Sequence, residues 1–379
     1  MFSSPHFRLS GFYFFYFSFV GAFAPYWPLY LESLNFNPFQ IGVLMSLYLA
    51  TRIVAPAFWG RLADARGNAV SVVQWAAGLS LLTYAAVFFG ESFAFLFVVI
   101  ALMSFFWSAQ MPLIEAITLT HLKEQTERYG HIRLWGSLGF VGAVVAIGYV
   151  LDAAPIGILL WLILAIQIAI VFFSRALPKV EPAAHALEHP PIGQILKQPI
   201  VIALLTACFL MVAAHAPYHT FFSVYLADQG YSKGSIGMLW ALSALCEVGV
   251  FLMMPRLLRA FSLRGILLAS FALAVARFLL IGWGAHSPAL VTLAQSFHSM
   301  TFGAYHGAAV TLIHRLFQGR NQATGQALYG SLTFGLGGTL GGILSGFLWD
   351  RIGPAMVFSA ASLLAALGLL VVWRRINPP

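Results

Sequence analysis

Twelve apolar runs, each long enough to cross a bilayer, recur between residues 9 and 373, and no other feature limits the fold of this chain so strongly. A spanning helix needs about 20 residues. The runs cover residues 9–31, 41–62, 69–89, 93–119, 131–151, 156–176, 199–226, 235–257, 263–283, 288–316, 322–349 and 355–373. Inside hydrocarbon every backbone polar group must be bonded within the protein, so the choice is between helices and a closed barrel. The period-two alternation of a barrel is absent, and the expectation is an all-α membrane protein with twelve transmembrane helices. Charge content agrees: 8% of residues are charged, against about 25% in soluble domains, too few to coat a soluble surface. The first run follows a single Arg8 and lacks a small-residue cleavage site, so it reads as a retained helix and not a signal peptide. Cys208 and Cys246 both sit inside apolar runs, which leaves no disulfide framework and no thiolate zinc site.

The net charge of +8 would suit a nucleic-acid partner, but its distribution argues otherwise. With the N-terminus in the cytoplasm, fifteen of the twenty Lys and Arg residues fall on cytoplasmic segments: Arg8, Arg61, Arg66, Lys123, Arg128, Arg175, Lys179, Lys197, Arg256, Arg259, Arg264, Arg315, Arg320, Arg374 and Arg375. Outer loops hold only Lys233 and Arg351. This is the positive-inside asymmetry, so the excess charge describes orientation. A multi-pass protein of the bacterial inner (plasma) membrane with both termini cytoplasmic is expected, without a nucleic-acid partner.

The chain also repeats itself. Tyr30-Leu31 followed by Ile41-Gly42-x-Leu44 returns as Tyr225-Leu226 followed by Ile236-Gly237-x-Leu239. Leu134-Trp135-Gly136-Ser137-Leu138 returns as Leu328-Tyr329-Gly330-Ser331-Leu332, and Ala24-Pro25-Tyr26 as Ala216-Pro217-Tyr218. Two six-helix bundles follow, residues 1–177 and 199–379, joined by a polar cytoplasmic linker at 178–198. Parallel repeats of this kind describe the major facilitator fold, in which substrate binds near the membrane midplane between the halves. Gly60-Arg61-Leu62-Ala63-Asp64-Ala65-Arg66-Gly67, placed on the loop after the second helix, resembles the loop signature of major facilitator transporters, which implies a gating role for Gly60, Asp64, Arg66 and Gly67. The equivalent second-half stretch, 255–265, keeps only its basic residues.

Charges that hydrocarbon should exclude are the next signal. Arg52, Glu115, Arg133, Glu247 and Arg277 lie within predicted helices, with His215, His219, His298 and His306 at similar depth. A charge at helix centre costs about 2.5–3.5 kcal/mol on insertion scales, so these residues are expected to line a central cavity or to pin helices together. His215 and His219 have the i, i+4 spacing of a metal half-site, but no adjacent carboxylate or thiol completes it, and no metal is expected. Glycines at 136, 139 and 142 and at 337, 338, 341, 342 and 346 fit close helix packing. Pro112, one turn before Glu115, is placed to aim that carboxylate.

The stretch Arg128-Tyr129-Gly130-His131-Ile132-Arg133-Leu134-Trp135-Gly136-Ser137 resembles the start of helix five in the lactose permease group and, more closely, in the phenylpropionate permease family of proton-coupled transporters. That resemblance implies substrate contact by Glu115 and Arg133. Phe140 stands where the lactose permease group has a sugar-stacking tryptophan. It further implies proton coupling by Glu247, Arg277 and His298. The carboxylate that the group carries three residues after the histidine is Thr301 in this chain, which leaves Glu247 as the leading carrier, with His298 or His306 sharing the task. The phenylpropionate permease resemblance extends through His215-Ala216-x-Tyr218, Gly230-Tyr231-Ser232, Leu239-Trp240 and Glu247-Val248, and implies a small aromatic carboxylate as substrate. Arg133 offers a planar fork suited to a carboxylate, and Tyr26 and Trp240 are aromatics on cavity-forming helices.

The expected function is therefore proton symport of a 3-phenylpropionate-like acid by alternating access. It needs no cofactor beyond the proton gradient, and a monomer suffices. A sugar or nucleoside permease is the alternative within the class. An intramembrane enzyme would need a nucleophile–base pair or a completed metal site, which these residues do not supply. A membrane sensor would carry a soluble domain, and the termini extend only a few residues beyond the outer helices.

Overall fold

The computed structural model describes residues 4–122, 128–178 and 193–376. Lys123, Lys179 and most of the expected 178–198 linker lie outside the described residues. Among the described residues, eleven helical segments are long and apolar enough to cross a membrane. These are α1 (Pro5–Ser33), α2 (Pro38–Arg66), α3 (Ala69–Phe89), α4 (Phe93–Leu122), α5 (Tyr129–Ala153), α6 (Ile158–Arg175), α7 (Pro199–Asp228), α8 (Lys233–Ala260), α9 (Leu263–Gly284), α11 (Gln322–Ile352) and α12 (Pro354–Arg375). The twelfth, α10, runs through residues 288–316 and contains a π-helical stretch at Ser299–Ala304, which divides it into two shorter α-helices.

The helix starts follow from local chemistry. Pro5, Pro38, Pro199, Pro288 and Pro354 occupy first-turn positions, where a missing N–H costs nothing. Ser4, Asn37, Asn68, Ser92 and Ser262 accept first-turn N–H bonds, and Asn37 forms a reciprocal capping box with Gln40. At its other end α2 runs further than the expected boundary at residue 62. Gly60, Asp64 and Arg66 belong to its last turns and not to a loop, and Gly67 alone makes the turn, with φ 59° and its N–H donated to the Asp64 carbonyl. A Cβ added to Gly60 would meet nothing within 4 Å, so no close helix approach requires that glycine.

Helix α4 breaks at Ala109, between Phe93–Ser108 and Gln110–Leu122. Pro112 supplies a cause: it has no N–H for the carbonyl of Ser108 four residues back. The break lies 194 residues before Gly303, inside the π-helical stretch of α10, and 194 is also the offset of the Leu134/Leu328 repeat. The two halves therefore interrupt the same helix at the same place by different means. Helix α11 carries a second π-helical stretch, Gly330–Gly337.

By its contacts the chain divides into two compact units. Unit 1 comprises Met1–His185 with Ser232–Met238, and unit 2 comprises Ala186–Tyr231 with Leu239–Pro379. Within unit 1, α1 packs on α5 and α6, and α3 on α4 and α6; within unit 2, α7 packs on α11 and α12, and α9 on α10 and α12. The same pairs recur, six helices apart. The tightest crossings are made by glycine. A side chain on Gly139 would collide with the Phe14 backbone, and one on Gly341 would lie 2.7 Å from the Ala213 carbonyl oxygen. The first turns of α8 pack into unit 1, where the Asp152 carboxylate accepts the backbone N–H groups of Lys233 (2.7 Å) and Gly234 (2.9 Å). This carboxylate satisfies donors that a helix start leaves open.

Candidate functional site

Each unit holds a polar cluster inside an aromatic surround. In unit 1, the Glu115 carboxylate on α4 accepts the Tyr129 hydroxyl at 3.2 Å. Arg133, one turn further along α5, lays its guanidinium over Phe17 (4.1 Å to the ring centre) and near Tyr13 (5.8 Å). No salt bridge joins Arg133 to Glu115 among the described residues. Both are half-buried, and the guanidinium keeps its fork free of a carboxylate. Phe140, two turns on, is also half-buried, and its backbone packs against Gly21 of α1. Tyr26 is fully buried, and its hydroxyl donates to the Val144 carbonyl. A second arginine, Arg52 on α2, donates to the Tyr48 hydroxyl at 2.9 Å, and Tyr48 continues into Trp107 and Tyr16 at 4.8 and 4.3 Å.

Three polar side chains that the sequence reading did not single out as a group occupy α4 on either side of its break. Ser104, Trp107 and Gln110 are buried, and Ser104 Oγ, Trp107 Nε1 and both amide atoms of Gln110 have no hydrogen-bond partner among the described residues. Their spacing of three was legible. Their burial was not, because an apolar stretch such as residues 93–119 has no polar face to mark which side turns inward.

Unit 2 is more densely connected. Arg277 on α9 is fully buried. Its Nε donates to the Ala294 carbonyl (3.0 Å), its Nη2 to Gln295 Oε1 (3.3 Å), and the guanidinium lies 4.1 Å from the centre of the Tyr218 ring. Gln295, which the sequence reading also passed over, donates to the Tyr218 hydroxyl (3.2 Å) and the Leu239 carbonyl (3.0 Å), binding α7, α8, α9 and α10 through one amide. Trp240 stacks near Tyr218 (4.7 Å) and donates its indole N–H to Ser223 at 3.0 Å.

Glu247 on α8 reaches His298 on α10, Oε2 to Nε2 at 3.8 Å. His298 also stacks on Phe302 (5.3 Å, 11°), which stacks in turn on His306. His306 Nδ1 lies 3.0 Å from the Tyr329 hydroxyl. His215 is fixed at both nitrogens: Nδ1 faces the Met211 carbonyl at 2.8 Å and must carry a hydrogen, while Nε2 lies 3.3 Å from Thr301 Oγ1. The residues expected to couple protons, Glu247, Arg277, His298 and His306, thus lie in one connected cluster around the π-helical stretch of α10, a common setting for functional sites.

Twin bundles with buried charges belong to a membrane transporter. The model of the MFS_1 like family matches residues 6–360, and the chain belongs to that family of the major facilitator type. It is 28% identical over 352 residues to the probable 3-phenylpropionic acid transporter of Escherichia coli (strain K12), covering 92% of each chain. It is also 28% identical over 364 residues to the maltose permease of Geobacillus stearothermophilus, covering 95% of this chain and 92% of the permease. In fold it resembles a crystal structure of the nucleoside transporter NupG, with a TM-score of 0.89 at 18% identity, over 99% of this chain and 100% of the other.

Proposed function

We propose that this secondary transporter carries a small aromatic carboxylate, 3-phenylpropionate or a close analogue, together with a proton by alternating access across the bacterial inner membrane. The observation that carries the reading is a pair of intramembrane arginines, Arg133 and Arg277, neither of which meets a carboxylate among the described residues. A fully buried guanidinium such as that of Arg277, with no acid beside it among the described residues, is costly, and a planar anion repays it. The likeness to a probable 3-phenylpropionic acid transporter supports the aromatic body of the substrate. Substrate contact is assigned to Glu115, Arg133, Phe140, Tyr26 and Trp240, and proton coupling to Glu247, Arg277, His298 and His306. Gly60, Asp64, Arg66 and Gly67 serve gating at the end of α2, with both termini cytoplasmic. Protonation of Glu247 frees Arg133 or Arg277 for the anion, the loaded protein rocks, and both ligands leave inside. No further cofactor takes part, and one chain suffices.

The maltose permease likeness favours a second reading, a neutral sugar as substrate. Uptake into proteoliposomes under an imposed pH gradient separates the two. Accumulation of labelled 3-phenylpropionate with alkalinisation of the medium is expected, and accumulation of maltose in place of the acid sinks the first reading.

A further inference from the structure

Arg277 is among the largest fully buried side chains, and no acid pairs with it among the described residues. Its partners are a carbonyl, an amide oxygen and the faces of Tyr218 and Phe278, all neutral. A desolvated cation–π contact supplies less than the burial of an ion costs. Moreover Nη1 has no acceptor among the described residues. A second group stands against the same Tyr218 ring: His298, 5% exposed, centred 5.3 Å from it, with a buried Nδ1 that has no partner among the described residues and donates as the Nδ1–H tautomer or the imidazolium. Water satisfies a stray N–H, but it does not neutralise a charge. Two donors without a partner among the described residues, beside a buried cation that no acid there pairs with, describe a place for an anion.

We propose that Arg277 and His298 form a carboxylate-binding site within unit 2, with Arg277 Nη1 and His298 Nδ1 as the donors and the rings of Tyr218, Trp240 and Phe302 as the aromatic surround. The proposal rests on the reading of the chain as a carboxylate transporter, and it chooses Arg277 over Arg133 as the arginine that holds the anion. The rings suit it: Trp240 lies 4.7 Å and His298 5.3 Å from Tyr218, and Phe302 stacks on His298. The site borders accessible surface through Glu247, whose side chain is 21% exposed.

The site also explains why anion and proton would travel together. His298 Nε2 lies 3.8 Å from Glu247 Oε2, so a proton held by either side chain sets the charge that the other meets. When the proton is present, the pair is neutral overall, whether as acid and imidazole or as carboxylate and imidazolium, and Nδ1–H faces the anion. When it is absent, the Glu247 carboxylate adds a negative charge beside the site and disfavours a second one. The other titratable and charged groups around His298 are His215, Tyr218 and His219 of α7 (6.0, 5.3 and 6.4 Å between ring centres), Arg277 of α9 and His306 of its own helix. None of these is an acid, so Glu247 supplies the negative charge.

The test titrates the full-length protein in nanodiscs by tryptophan fluorescence with 3-phenylpropionate, the neutral 3-phenylpropionamide, and chloride alone. The acid should bind at least about 10-fold more tightly than the amide, and Arg277→Gln and His298→Gln should each remove that difference while changing amide affinity by less than about 3-fold. Loss of a buried arginine puts the fold at risk, so a second measurement uses protein with an intact Arg277. Carboxyl-13C 3-phenylpropionate bound to the unmutated protein should show dipolar contacts to both a 15N-labelled arginine side chain and a 15N-labelled histidine side chain. An arginine contact without the histidine contact, or acid binding indifferent to Arg277→Gln and His298→Gln, overturns the site and leaves carboxylate transport standing. An Arg277-dependent response to chloride as large as that to the acid overturns the carboxylate assignment. Absence of any acid binding or uptake by the unmutated chain defeats the site and the transport reading together.

Discussion

Glu247 Oε2 and His298 Nε2 stand 3.8 Å apart, an acid–base pair within salt-bridge distance. It joins α8 to α10 one residue before the latter's π-helical stretch, where Gly303 leaves room for the Glu247 side chain: a Cβ there would lie 3.0 Å from Glu247 Cγ. A proton moving on or off this pair changes the charge at the centre of unit 2.

Glu247→Gln removes that proton's site while keeping size and hydrogen-bonding capacity. Accumulation driven by a pH gradient should fall at least about 10-fold, while downhill counterflow of labelled substrate persists. Counterflow and gradient-driven uptake in the same proteoliposomes measure both. Intact uphill uptake by the variant refutes the role given to Glu247.

Glycines in α5 and α2 should respond oppositely to alanine. Gly139→Ala drives a Cβ into the Phe14 backbone, which cannot yield as a side-chain end does, and should cost about 1–3 kcal/mol. Gly60→Ala meets nothing within 4 Å inside a helix and should be neutral or stabilising by up to about 1 kcal/mol. Thermal unfolding in detergent ranks the two against the parent. A Gly60 variant as damaged as the Gly139 variant contradicts the packing account.

Asp152 accepts two backbone N–H groups at the start of α8. Asn offers one acceptor oxygen in place of two, so Asp152→Asn should lose part of the stabilisation and Asp152→Ala about 1 kcal/mol. Hydrogen exchange at Lys233 and Gly234 should rise in the same order, and unchanged protection in the Ala variant would remove this carboxylate from the start of α8.

Gln110 is fully buried, and neither amide atom has a hydrogen-bond partner among the described residues. Replacement by the similarly long Met removes a desolvation cost of about 1–3 kcal/mol and should raise the unfolding temperature. Uptake should fall in the same variant, because polar groups kept at such a cost serve the substrate path. A stabilised variant with full uptake would make Gln110 a passive residue of the core.

Much of the fold was legible because membrane solvent imposes two rules at once, length and internal hydrogen bonding. The runs at 69–89 and 199–226 appear as Ala69–Phe89 and Pro199–Asp228, differing by two residues at one end. The Leu134/Leu328 offset recurs in the paired packing of α1 on α5 and α7 on α11. The end of α2 was less legible, since Gly60 looks like a turn residue and only the αL geometry of Gly67 shows where the helix stops. Equally hidden were Gln295, an uncharged residue in an apolar run, and the lack of a direct salt bridge between Glu115 and Arg133 among the described residues, which 18 residues of spacing could not exclude.

The sequence by itself determined that this chain lives in a bilayer, that it is built from two related sets of helices, and that a few charges remain inside it. Each of these follows from composition and spacing, which hydrocarbon reads directly. Only the tertiary structure decided which charges meet: that Glu247 reaches His298, that Arg277 rests on Tyr218 with one donor unused, and that Arg133 leans on Phe17 and not on Glu115. The reason is that a helix fixes a side chain's height along its axis but not its neighbour across the bundle. That neighbour is set by glycine contacts such as Gly139 on Phe14 and by the breaks at Ala109 and Ser299–Ala304, which turn one stretch of helix relative to the next.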